Sequence, residues 1–127
     1  MKKKFTDLSH RVIGSAIEVH RHLGPGLLES TYHLWPITYD LSPITPNLGR
    51  QAHPLPVEYK GLHLDCGYRI DVLIEDAIIL ELKSVTQLKP IHEAQLLTYM
   101  KLTHIKQGFL INFNVEILKN GLKSFVL

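Results

Sequence analysis

The segment Ala77 to Lys83 constrains this chain most. It opens on four consecutive apolar residues, Ala77, Ile78, Ile79 and Leu80, and ends on Glu81, Leu82 and Lys83. Strand residues alternate between faces, so an unbroken apolar run fits a strand that is covered on both sides. The run predicts a buried central strand.

The flanking segments supply the rest of an α/β chain. Leu8, Val12, Ile13, Ala16, Ile17 and Val19 fall close to a helical repeat, with Thr6 placed to cap it. A helix is predicted over 7–22, stopped by Gly24, Pro25 and Gly26. A second helix is expected to start near Leu27. Pro36, Pro43 and Pro46 then oppose any continued helix, so 34–54 is read as irregular. Strands are predicted over 55–59, 62–66 and 68–74, with turns at Lys60 and Gly61 and at Glu75 and Asp76, and a kink at Gly67. Pro90 suits the first turn of a helix that runs on to about Thr103. Residues 108–112 read as another buried strand. Asn120 and Gly121 form the dipeptide preferred in tight hairpins, which predicts strands over 115–119 and 122–127 paired with each other.

Bulk properties bound the function more loosely. The chain has 127 residues, enough for one domain spanning 1–127, and its single cysteine, Cys66, excludes an internal disulfide. No apolar run approaches the ~18 residues of a membrane span, and no apolar stretch follows the lysines at the start to make a secretion signal. A cytoplasmic protein is expected. The net charge of +2 mildly favours a polyanionic partner but does not identify one.

The candidate chemistry lies where the central strand loses its apolar run. Residues two apart on a strand share a face, so Glu81 and Lys83 project together, away from Leu80 and Leu82. Asp71 lies on the preceding strand, and a hairpin at Glu75 and Asp76 brings it beside Glu81. Two converging carboxylates repel unless a cation neutralises them. A hard divalent cation with oxygen ligands does so, and the Leu82 carbonyl offers a third ligand. A Glu-x-Lys pattern alone also fits a strand that is simply half solvated. Gln95 and Tyr99, four apart on the following helix, share a face that can point at the same sheet edge. His20 and His22 are two apart in a helix and face different ways, so a zinc site is not expected.

In that order, Gly67 with Asp71, Glu81 with Lys83, and Gln95 with Tyr99 resemble the RecB-like branch of the PD-(D/E)XK nucleases. A closer resemblance covers most of the chain. Gly26, Glu29 and Tyr32 match the signature of the GxxExxY family, a bacterial group assigned to this superfamily. The match continues through 17–20, 23–26, 55–61, 81–83, 92–99 and 110–114. The resemblance implies a PD-(D/E)XK (restriction-endonuclease-like) core, with a mixed central sheet flanked by helices. It implies a metal-dependent nuclease using Mg²⁺ or Mn²⁺ and acting on nucleic acid, DNA first. The implied metal ligands are Glu29, Asp71, Glu81 and the Leu82 carbonyl. The implied catalytic residues are Asp71, Glu81, Lys83, Gln95 and Tyr99. Glu18 is the weaker alternative to Glu29. His20 and His92 lie in motif-like stretches, where they serve as structural histidines or support the site.

The resemblance fails between the signature and the first strand. The family continues its second helix there, whereas this chain has Trp35, Pro36 and further prolines. A shifted reading frame from Leu34, restored near Gln51, recovers a family-like helix. The alternative is a genuinely divergent loop. A domain of this size lacks obvious DNA-reading elements, so a homodimer or a larger complex is expected. The competing function is a nuclease-fold protein that binds nucleic acid or a partner protein without cutting.

Overall fold

The structure is a computed structural model that describes residues 7–25, 53–54, 57–64 and 69–127. The helix expected near Leu27, the proline-containing stretch up to Gly49, and Cys66 with Gly67 lie outside the described residues.

Helix α1 spans Asp7–Leu23. Val12, Ala16 and Val19 form its fully buried stripe, with Leu8, Ile13 and Ile17 packed alongside. Its end follows from the sequence: Gly24 takes φ 76 and its N–H donates to the His20 carbonyl at 2.8 Å. Two short antiparallel pairs follow. Strand β1 (His53–Pro54) pairs with β4 (Arg69–Ile70), and β2 (Val57–Tyr59) pairs with β3 (Leu62–Leu64). The residues His53 and Pro54, expected to be irregular, are therefore in a strand. Lys60 and Gly61, both at positive φ, make the expected two-residue turn between Tyr59 and Leu62.

The main sheet has the order β5-β6-β7-β8, formed by Val72–Ile74, Ile78–Lys83, Gln107–Asn112 and Leu122–Val126. β5 and β6 are antiparallel, β6 and β7 parallel, and β7 and β8 antiparallel. A parallel pair needs a crossover, and helix α2 (Pro90–Thr103) provides it. Its start carries Pro90 and a cap in which His92 Nδ1 accepts the Lys89 N–H at 3.0 Å while the His92 N–H donates to the Lys89 carbonyl at 2.9 Å.

Alternation along β6 sets the layers. Ile78, Leu80 and Leu82 join the cluster that holds the buried stripe of α1, while Ile79 joins Leu96, Tyr99 and Met100 of α2. The sheet thus lies between α1 and α2, which is the mixed α/β sandwich expected. Each fully buried aliphatic side chain in these layers contributes about 1.5–3 kcal/mol of transfer free energy.

A further expectation fails. Residues 115–119 and 122–127 do not form a hairpin. Leu118–Gly121 form a 3-10 turn, and β8 pairs with β7 instead. Gly121 is buried, and a Cβ there would collide with the Asn112 carbonyl oxygen. The glycine serves a close backbone approach, not the positive φ of a tight hairpin.

Candidate metal and catalytic site

The site is built at the carboxyl end of β6. The register pairs Val72 with Leu80, so Asp71 falls one step further along, against Glu81. There the chain bends out of the ladder between β4 and β5. The side chain takes the ladder's place: Asp71 Oδ2 accepts the Leu82 N–H at 2.9 Å. The Leu82 side chain itself is fully buried on the α1 face. Backbone polarity alternates along a strand, and Lys83 turns its carbonyl to the β7 side, where it accepts the Phe113 N–H at 2.9 Å. Leu82 therefore directs its carbonyl to the opposite side, toward Asp71.

Glu81 is 2% exposed, on the same face as Ile79 and opposite Leu110 of β7. Its Oε2 lies 3.7 Å from Lys83 Nζ, an ion-pair distance rather than a hydrogen bond. Its Oε1 atom is buried and accepts no hydrogen bond among the described residues. Lys83, with 18% of its side chain exposed, leads from this carboxylate to solvent. A low-polarity setting makes a buried carboxylate costly unless positive charge compensates it. The donors at this end of β6 and β5, two carboxylates and a main-chain carbonyl, are all oxygen, the kind that hard divalent cations take. Among the described residues, no group of three or more His, Cys, Asp or Glu is arranged to hold a metal. Glu29, the further acidic candidate, lies outside the described residues, as does Tyr32.

Gln95 and Tyr99 come together on α2. Gln95 Nε2 donates to Tyr99 Oη at 2.8 Å. Tyr99 is 2% exposed and packs with Ile79 and Leu110, on the sheet face that carries Glu81. The amide is partly buried and keeps a second N–H and its carbonyl oxygen for other partners. Glu18 is exposed on α1, whose buried stripe covers the opposite face of the sheet. His20 is a structural histidine: it is 5% exposed, its Nε2 lies 2.6 Å from the Val115 carbonyl, and its ring leans against Phe113. His92 serves the cap of α2.

Asn112, to which the sequence reading gave no role, closes the end of the site. It is 3% exposed and pairs with Lys83 in the β6–β7 register. Its Oδ1 accepts the N–H groups of Val85 (3.1 Å) and Asn114 (3.2 Å), and its Nδ2 donates to the Val85 carbonyl at 2.9 Å. One amide thus fixes the chain two residues beyond Lys83. The available signal was an amide ending the apolar run Phe109, Leu110 and Ile111. A buried asparagine at that point must bond something.

Among the described residues, no helix is long and apolar enough to cross a membrane. Comparison with curated proteins returned no match, and comparison with solved structures returned none. A family model described as the PD-(D/E)XK nuclease superfamily matches residues 6–125. With nearly the full length matched, the chain belongs to the PD-(D/E)XK nuclease superfamily.

Proposed function

We propose that this protein is a divalent-metal-dependent nuclease that hydrolyses phosphodiester bonds, with DNA as its substrate and Mg²⁺ or Mn²⁺ as its cation. The observation that carries the reading is Glu81, a carboxylate buried between Ile79 and Leu110 on the α2 face of the sheet, with Lys83 beside it and Asp71 across the strand pair. A domain selected only for stability would place an apolar residue there. The likeness to the GxxExxY family and the RecB-like branch, read from the sequence, supports the same assignment.

Asp71, Glu81 and the Leu82 carbonyl are the cation's ligands, with Glu29 as a further one. The cation supplies Lewis acidity toward the phosphoryl oxygen and a more acidic water at neutral pH. The protein's own groups do the rest. The Lys83 ammonium stands at the open end of the buried carboxylate, placed to meet negative charge that grows on the phosphoryl oxygens. Gln95, held by Tyr99, offers its remaining N–H to a phosphate oxygen. The fixed Asn112–Val85 contact keeps the end of β6 from moving as charge develops, which is the preorganisation that electrostatic catalysis needs.

The test compares the wild type with Glu81→Ala and Lys83→Ala for metal binding, DNA binding and cleavage at one stated salt concentration. Glu81→Ala is expected to lose metal binding and cleavage together. Lys83→Ala keeps the metal and loses about 10²–10³-fold in rate, the value of one electrostatic donor. A wild type that binds DNA and cuts with neither cation would make the protein a binding module. Undiminished cleavage in both variants would place the activity elsewhere.

A further inference from the structure

The carboxyl ends of β6 and β7 open onto a second concavity, which the carboxylates and Lys83 do not line. It has a volume of about 260 Å³ and is lined by Thr86, Gln87, Leu88, Asn112, Asn120 and Lys123, among others. One wall is the loop leaving β6, and the other is the 3-10 turn before β8. Asn112 lies at its base, but its amide is committed to Val85 and Asn114, so it gives the pocket rigidity rather than a ligand. The polar groups that face solvent are those of Thr86, Gln87 and Asn120. Among the described residues, Lys123 is the cation of this lining.

The position is informative. In α/β sheets, ligands bind in the crevice outside the carboxyl ends of parallel strands. Glu81, Leu110 and Lys123 form one row across the sheet. Lys123 thus sits two strands from Glu81, roughly 10 Å at ~4.8 Å per strand. The pocket therefore adjoins the metal and catalytic site along a direction that a bound strand can follow.

We propose that this pocket binds a backbone phosphate flanking the scissile one, with Lys123 supplying charge and Thr86, Gln87 and Asn120 supplying neutral hydrogen bonds. The proposal rests on the nuclease reading above. Among the described residues, no aromatic one belongs to the lining and a stacked base has no platform there, whereas a cation among neutral polar groups matches a singly charged phosphodiester. Glu93 sets the strength of the contact. Its Oε2 lies 3.1 Å from Lys123 Nζ, with 32% and 47% of the two side chains exposed. Such an exposed pair is weakly held, so phosphate competes with Glu93 for Lys123.

The experiment measures binding of the full chain to labelled single-stranded and duplex oligonucleotides in EDTA, by fluorescence anisotropy, over a range of salt concentrations. Lys123→Gln is expected to weaken binding several-fold for every sequence and to reduce the salt slope by about 0.7–0.9, the share of one phosphate contact. Glu93→Gln is expected to tighten binding several-fold, because it frees Lys123 and removes a repelling charge. A merely structural ion pair would make both variants weaker. Lys101→Gln, an exposed lysine at the far end of α2, reports the effect of net charge alone. The proposal is overturned if Lys123→Gln behaves like Lys101→Gln, or if Glu93→Gln fails to tighten binding. In either case, wild-type binding and metal-dependent cleavage leave the nuclease reading standing. A wild type that binds no oligonucleotide overturns both.

Discussion

Glu81→Met tests whether the buried carboxylate is held at a cost to the fold. Glu81 is 2% exposed, shares its strand face with Ile79, and faces Leu110 across the strand pair. Its near neighbour of opposite charge, Lys83, stands at 3.7 Å and reaches solvent. Methionine has a similar volume and fits that apolar face. Replacing buried ion pairs by apolar residues of like size is often stabilising by about 1–4 kcal/mol. Lys83 stays in place and needs some solvation, so the lower part of that range is expected, about 1–2 kcal/mol. For a domain of this size, that raises the metal-free Tm by roughly 3–8 °C. Metal should reverse the ranking. Saturation at about 100 times Kd stabilises the wild type by about 2.7 kcal/mol, roughly 10 °C, and the variant by nothing. Thermal melts in EDTA and in Mg²⁺ or Mn²⁺ read both effects. A variant less stable than the wild type in EDTA by more than about 1 kcal/mol would refute the reasoning, because Glu81 would then be a structural ion-pair member. An equal metal-induced shift in both proteins would place the cation elsewhere.

Asn112→Ala removes three hydrogen bonds to Val85 and Asn114. It should cost about 2–3 kcal/mol in denaturant melts at ~1 kcal/mol per bond, with a fall in cleavage rate, and an unchanged midpoint would deny the amide its bracing role. Two glycine variants should separate by what they strike. Gly121→Ala meets the Asn112 carbonyl, which cannot yield, and should lose more than the 1–3 kcal/mol typical of overpacking. Gly108→Ala meets Met100 Sδ at 2.8 Å and Leu96 Cδ1 at 3.0 Å, both side-chain ends, and should lose less.

Much of the sheet and both described helices were legible, because each carries an undisturbed period or a strong punctuator. The apolar stripe of α1 and its glycine stop gave its bounds to within a residue, and Pro90 marked the start of α2. The turns at Lys60 and Gly61 and at Glu75 and Asp76 were equally plain. The C-terminal region was misread because the Asn120 and Gly121 pair is ambiguous. A glycine there answers either a demand for positive φ or a demand for space, and only the packed structure shows that the Asn112 carbonyl makes the second demand. The bend at Asp71 was invisible for a related reason. Residues 68–74 read as one strand, but Ile70 pairs with His53 of β1 while Val72 pairs with Leu80 of β6. A change of partner depends on a distant segment and leaves no local period. Of the candidate site, Asp71, Glu81, Lys83, Gln95 and Tyr99 are the residues that spacing and resemblance point to. The bracing by Asn112 and the pairing of Lys123 with Glu93 could not be named this way, since both join segments about 30 residues apart.

The two departures from local pattern coincide in space. Along β6, an apolar run that would suit a fully buried strand is interrupted at Glu81. Opposite it, the strand bends at Asp71, and a side chain takes up the Leu82 N–H in place of a ladder carbonyl. Either departure alone could be a tolerated accident of sequence. Together they set two carboxylates on one sheet edge, with an ammonium at the open end and a backbone braced by Asn112 just beyond. A fold optimised only for stability would remove both, since an apolar residue at position 81 and a regular strand through position 71 cost nothing in packing. Local rules broken at one point, in one chemical direction, are the expected mark of a functional site.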